Sequence, residues 1–557
     1  SERSQPLDYR TLPLTTDHTA IPNIPIIFPI RISVSEVDSG RLVSGKQGDL
    51  VRFAFWTIAG LIYVHFLFSY LLTAHVSFAA LALFVLGSLY LIPAFRRRIA
   101  RLPVLRWGWL RNTAFLLLIT VANLLLASGN RADPERGALA LVGATVITGQ
   151  LGAPALDDAI VLVDAAGVIQ SVGDASTPIP AGYRMIELKD RFLLPGLINA
   201  HGHLVLSGRR SGGISLIAIP GLADLFVGFL ETYPGRRVAL RLMERNVEHA
   251  LRAGVTTLRG IGDPGYLDVA MRKRVESGAS LGPRLLVAGP ILAVSGGHGR
   301  QIGVEFDGPI EGRRAVREHL QEEVDLIKIA STGGVADSRR IGEAGELQMT
   351  PAELEAVIGE AHRKNVLVTA HIQSTQGVLE ALQAGIDNIE HGAELDDQTL
   401  SLFLDNPRAL RGFTSLHPTL SVTRSSRPST EPPPANSMRY VMYVNGREIS
   451  RRIRAGFLQA LAAGVKIGTG TDAGMVPHAD VWREMQLFSE IGGVSNERAI
   501  HMGTLATAES IGLEDLAGSV EVGKSADFVI LERDPRKDLS AFATPELVIA
   551  RGFEVQP

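Results

Sequence analysis

Apolar positions along this chain fall into three regimes with different periods. The first is membrane-like. Residues 53–74 carry no Asp, Glu, Lys or Arg, and roughly 20 such residues cross a hydrocarbon core about 30 Å thick as a helix. A second apolar run covers 76–92 and a third 113–127, with Pro93 closing the second. The pattern predicts three transmembrane helices within 52–128, preceded by an arm, 1–51, that is rich in Pro and polar residues and has no sustained period.

The second regime is short and β-rich. ALVGATVITG, AIVLVDAAGVIQSVG and MIELKDRFLLPG read as strands separated by tight turns, and GKSADFVIL and LVIARGFEV repeat that pattern at the far end of the chain. Segments 137–195 and 523–557 are therefore expected to form one small β-sandwich domain. Between them, across 196–522, β-like runs (GVTTLRGIG, PRLLVAGPIL, DLIKIAST, NVLVTAHI, NIEHG, VKIGTGTDAG) alternate with helical stretches such as 351–364. Alternation of that kind predicts an α/β fold with parallel strands and crossover helices, and the number of units fits a (β/α)8 TIM barrel. A doubly wound open sheet is the competing architecture, but it would not bring residues from so many strands to one point.

Composition narrows the chemistry. A net charge of −3 leaves no basic field for nucleic acid. The chain has no cysteine, so thiolate metal sites, cysteine nucleophiles and disulfides are all excluded. Charged residues make up only 20% of the sequence, in keeping with a part solvated by lipid. The cations themselves are informative: Arg96, Arg97, Arg98, Arg101, Arg106 and Arg111 crowd the interval between the second and third apolar runs. The positive-inside bias places that interval in the cytoplasm, and Arg41, Lys46 and Arg52 before the first run agree.

Candidate metal ligands sit at the ends of the β-like runs. His201 and His203 follow FLLPGLINA, and residues two apart on an extended chain point the same way, so both rings can reach one cation. Lys328 in DLIKIAST, His371 in VTAHI, His391 in NIEHG and Asp472 in GTGTDAG each close another run. Catalytic groups of a barrel come from that C-terminal face of the strands. Singly, each has an ordinary explanation: a lysine at a strand end, a histidine bonded to a core carbonyl, an aspartate in a turn. Five strand ends supplying six metal-compatible residues in barrel order is a different matter. GTGTDAG lacks the Lys-Ser/Thr ending of a phosphate loop.

From about residue 138 onward the chain resembles the amidohydrolase superfamily, in its imidazolonepropionase-like and prolidase-like branch. LLPGLINAHGHL, ALRAGVTTLRGIGD, GPRLLVAGPIL with SGGHG, DLIKIASTGG, VTAHI, NIEHG, GTDAG and ATAESIGLEDLAGSVEVGKSADFVIL carry the resemblance. It implies two divalent metal ions, with zinc expected. His201, His203 and Asp472 would hold the first and His371 and His391 the second, bridged by Lys328. An ammonium has three donors and no acceptor, so the lysine would be carboxylated to a carbamate. The implied reaction is attack of a metal-bridging hydroxide on an amide carbonyl, with Asp472 moving the proton to the leaving amine. His298, in SGGHG, resembles a substrate-binding position; a solvent-exposed loop histidine is the alternative. Where VTTVRD is common in the family this chain has VTTLRG, with Gly260 in the acidic position, which puts any substrate contact there in doubt.

The bridging lysine favours two-metal hydrolysis over the one-metal deaminases of the superfamily. A lactonase, esterase or phosphotriesterase would share the same ligands, and an inactive binding or scaffold protein is the non-enzyme alternative. Residues 214–230 (ISLIAIPGLADLFVGFL) are unusually apolar for a loop after the HxH pair. A packed helix or a homo-oligomer contact would explain them, as would entry of an amphiphilic amide, such as an N-acyl amino acid or a dipeptide-like molecule, from membrane lipid. The orientation makes a direct prediction: everything after about residue 128 lies outside the cytoplasm. A reporter fused to the C-terminus should be active only on the outer side, and a cytoplasmic signal would refute the topology.

Overall fold

Short buried strands alternating with capped helices build residues 137–208, 227–230, 232–425 and 432–557, the part of the chain described by a computed structural model. The predicted arm, the three apolar runs and most of 214–230 lie outside the described residues. Among the described residues no helix is long and apolar enough to cross a membrane.

Strands β1 (Leu139–Val146), β2 (Leu156–Val163), β3 (Ile169–Gly173), β4 (Arg184–Glu187) and β5 (Phe192–Pro195) open this region. Next come β6 (Leu197–Gly202), β7 (Val255–Gly260), β8 (Arg284–Val287), β9 (Ile291–Ala293) and β10 (Gly303–Glu305). They are followed by β11 (Ile327–Ala330), β12 (Val368–Ile372), β13 (Asn388–His391) and β14 (Ser415–His417). The chain ends with β15 (Phe528–Leu531), β16 (Leu547–Ala550) and β17 (Phe553–Val555).

The first five strands and the last three form a single sheet in the order β17-β16-β15-β5-β1-β2-β3, with β4 also on β1. This differs from the expected sandwich of two separately bonded sheets. The reason lies in β1, whose first half pairs with β4 and whose end pairs with β5, while two register shifts interrupt its ladder with β2. Such irregularities bend a strand and increase its twist, so one continuous sheet encloses a core of Leu139, Leu193, Phe528, Ile530 and Ile549.

The middle strands are parallel, and β11, β12 and β13 are buried along their whole length, as crossover topology requires. Their helices are delimited by local chemistry. Thr350 and Glu353 close a capping box on Pro351–His362, with proline in the first turn, and Gly385 ends Thr375–Ala384 in the left-handed conformation. Pairing does not run round a closed ring among the described residues, contrary to the expected eight-stranded barrel. It splits into β6-β7-β8 and β10-β9-β11-β12-β13-β14.

Both seams have visible causes. After β8, PRLLVAGPIL breaks at Gly289 (φ 69°) and Pro290, and at that seam the Asp325 carboxylate accepts from Val287 N–H at 2.8 Å. At the other seam VKIGTGTDAG is not a strand but touches both neighbours, through Leu416 with Ile467 and Gly202 with Ala473. There Gly470 passes so close to His201 that a Cβ would lie 2.9 Å from the His201 Cβ. Asp472 then turns left-handed (φ 57°). Phe528 is fully buried in a central strand of the terminal sheet. Phe528→Ala should cost about 3–5 kcal/mol of stability, read as a lowered denaturation midpoint.

Candidate metal centre

The parallel strands and the loops that follow them bring seven predicted side chains together. His201 sits at the end of β6 with His203 just beyond, Lys328 lies on β11, His371 on β12 and His391 on β13. Asp472 is in the irregular eighth segment and His298 in the loop after β9. Ring centroids are 5.7 Å apart for His201 and His203, 5.1 Å for His201 and His391, and 4.6 Å for His371 and His391. His298 lies at the margin, its ring 4.0 Å from that of His371.

Hydrogen bonds fix which nitrogen of each ring faces inward. His201 Nδ1–H donates to Glu390 Oε2 at 2.7 Å and His203 Nδ1–H to the Gly262 carbonyl at 2.8 Å. Each Nε2 lone pair is thereby left toward Asp472 Oδ1, at 3.5 Å and 3.3 Å respectively. Two nitrogen lone pairs and an anionic oxygen thus converge, with all three ligand atoms within 4.8 Å of one another. His391 Nδ1 is hydrogen-bonded to Thr419 Oγ1 at 2.7 Å. Lys328 Nζ, His371 Nε2 and Asp472 Oδ1 are buried with no hydrogen-bond partner among the described residues. Buried polar atoms are rarely left so. Nitrogen and oxygen donors in this arrangement fit divalent cations.

Electrostatics agrees. Burial pushes the His201 imidazole down to about 4, against the pull of Glu390 and Asp472, and holds His371 and His391 well below the usual range. Neutral rings are what ligation requires. On His203 burial also works downward, but Asp472 outweighs it and raises the pKa, so a proton competes with a cation for the same place. Burial brings the Lys328 ammonium down to about 8.

Beneath the cluster lies a network that the sequence pattern did not single out. Glu390, fully buried on β13, accepts from His201, from Arg259 Nη2 at 2.6 Å and from Thr369 at 2.5 Å, with His417 Nδ1 3.1 Å away. Burial alone would raise its carboxyl, yet His417, Arg259 and His201 hold it well below the carboxylate range. Arg259, equally buried, also donates to the Ala200 carbonyl and to Asn388. Asp263 accepts from the backbone N–H of Leu204 and Val205 and so holds the chain beyond His203. The signal for Glu390 and Arg259 was a charged residue inside an otherwise buried strand, which needs a partner.

Comparisons with known proteins follow this geometry. The profile of the Amidohydrolase family matches residues 192–554. An ochratoxinase of Aspergillus niger is 26% identical over 449 residues, covering 75% of this chain and 86% of that protein. An imidazolonepropionase of Pseudomonas putida is 25% identical over 419 residues, covering 72% and 95%. Among solved structures, a candidate prolidase from Bifidobacterium longum superposes with a TM-score of 0.64 at 35% identity, covering 76% of this chain and 96% of that one. A Xaa-Pro dipeptidase with methionine bound in its active site gives 0.64 at 26%, covering 76% and 100%. The Glu390 network yields its own prediction. Arg259→Met leaves the Glu390 carboxylate buried beside one cationic partner fewer, and a loss of about 3–5 kcal/mol is expected in chemical denaturation.

Proposed function

The chain belongs to the amidohydrolase family, whose relatives here are hydrolases of amide and peptide bonds, and from that premise we propose a two-metal amidase anchored to a membrane. The observation that carries the metal reading is the convergence of His201 Nε2, His203 Nε2 and Asp472 Oδ1 beside the unpartnered Lys328 Nζ and His371 Nε2. His201, His203 and Asp472 would hold one divalent cation, His371 and His391 another, with Lys328 between them. A lowered ammonium pKa leaves part of Lys328 as the free amine, which could add carbon dioxide with loss of a proton, and the resulting carbamate would supply two anionic oxygens to the cations. Bound there, the cations, zinc by preference, would acidify a water and polarise the scissile carbonyl. The same family membership supports reading the two parallel sheets as one (β/α)8 barrel interrupted after β8 and again at its eighth position.

The chain's own groups have separable tasks. Asp472 takes the proton released by the attacking water on a carboxylate oxygen and returns it to the leaving nitrogen. Glu390 and the Gly262 carbonyl keep His201 and His203 in the tautomer whose Nε2 is a donor to metal. His298 is tied through Nδ1 to Asp337 at 2.9 Å, which leaves Nε2 for a polar group of the substrate. The substrate we favour is an N-acyl amino acid or a dipeptide-like amide. Support comes from relatives named prolidase, dipeptidase and ochratoxinase. The apolar runs before residue 128 and the apolar stretch 214–230 support an amphiphilic substrate taken up at the outer membrane surface.

Two measurements test this reading. Chelation should abolish amide hydrolysis and readdition of Zn²⁺ restore it, and Lys328→Ala should lower bound metal per chain; retained metal and activity in that variant would refute the bridged centre. Turnover of N-acyl amino acids should rise with acyl length. A flat response removes the amphiphile proposal, and faster cleavage of lactones or phosphotriesters reassigns the bond.

A further inference from the structure

Glu484 is fully buried, lies outside the ligand set, and has its charge satisfied at one place only. It belongs to the helix Val481–Gly492, whose start follows the Asp472 loop. Its Oε1 accepts from Leu420 N–H at 2.6 Å, and its Oε2 accepts from Ser421 N–H at 2.7 Å and from Ser421 Oγ at 2.6 Å. Burying a carboxylate is expensive, and burial pushes this one up to about 7 despite those three donors. A packed hydrophobic residue would serve stability as well or better. What the carboxylate does that a hydrophobic residue cannot is clamp two consecutive amides.

The residue just before those amides is Thr419, fully buried and left-handed at φ 48°. A β-branched residue in that region is an outlier that persists only when its surroundings enforce it. Thr419 Oγ1 is hydrogen-bonded to His391 Nδ1 at 2.7 Å, and His391 is itself left-handed at φ 68°. We infer that Glu484 is a positioning residue for the second cation: by gripping residues 420 and 421 it holds Thr419 in its strained conformation, and Thr419 in turn fixes the direction of the His391 ring. This rests on the proposed metal centre. It adds a link by which the helix after Asp472, a ligand of the first cation, sets a ligand of the second.

The test is cobalt(II) titration of the full chain, followed by its visible absorption, with thermal melting to confirm folding. In Glu484→Gln and in Thr419→Val one of the two cobalt equivalents should weaken by about 10-fold to 100-fold, while the other stays at the wild-type affinity. Thr419→Ser, which keeps the hydroxyl, should bind as wild type. The double variant should be no worse than the weaker single one, because both act along one path. Equal weakening of both equivalents, additive losses, or unchanged binding in Thr419→Val would overturn the inference. His391→Ala separates the two readings: if it leaves both equivalents in place, the metal centre fails and this inference with it. If it removes one while Glu484→Gln and Thr419→Val remove none, only the link through Glu484 fails.

Discussion

The buried ion pair between Arg259 on β7 and Glu390 on β13 is the constraint on which the rest of the site depends. Each residue is almost wholly withdrawn from water, and neither charge is tolerable there without the other. Arg259 resolves its donors on Glu390, Asn388 and the Ala200 carbonyl. Glu390 resolves its acceptors on Arg259, His201, His417 and Thr369. Those partners come from β6, β7, β12, β13 and β14, so the pair draws strands from both parallel sheets toward one point. It does so across the interior, where strand pairing itself is discontinuous.

That arrangement accounts for the character of the ligand cluster above it. A negative charge at Glu390 fixes the His201 proton on Nδ1 and turns Nε2 inward, as the Gly262 carbonyl does for His203. The contacts behind the cluster thus leave both Nε2 lone pairs facing the Asp472 carboxylate. Strain is concentrated at the same level: His391, Thr419 and Asp472 are left-handed without being glycine. Three such residues among the groups that line or support one centre are hard to reconcile with a purely architectural role. Each places a side chain where a regular strand would have turned it away.

The division between what could and could not be read from sequence follows from range. The clustering residues were legible because each of His201, Lys328, His371, His391 and Asp472 closes its own apolar run, and the period of a run is a local property. Glu390 and Arg259 were equally visible as charges inside such runs, but their partners lie more than a hundred residues apart, and no local rule pairs them. Thr419 and Glu484 were harder still, since their role depends on left-handed backbone and on a clamp between separate elements. The continuous terminal sheet and the broken parallel ladder were illegible for a related reason: alternation predicts strands and their direction, whereas register shifts in β1 and the close pass of Gly470 against His201 emerge only on packing.

The terminal sheet is more than an appendage. One residue, Gly196, separates β5 from β6, the strand that carries His201, and its N–H donates to the Asp527 carbonyl at 2.8 Å. A Cβ there would collide with the Thr256 side chain, so glycine is what allows β6 to settle against β7. β15, immediately after Asp527, pairs antiparallel with β5. Asp527 also accepts from Arg551 N–H and meets Arg284 of β8 at 3.3 Å. The entry angle of β6, and with it the placement of His201 and His203, is therefore set jointly by the chain's last strands and by β7. A sheet assembled from both ends of this region thus ties the placement of His201 and His203 to residues more than 300 positions downstream.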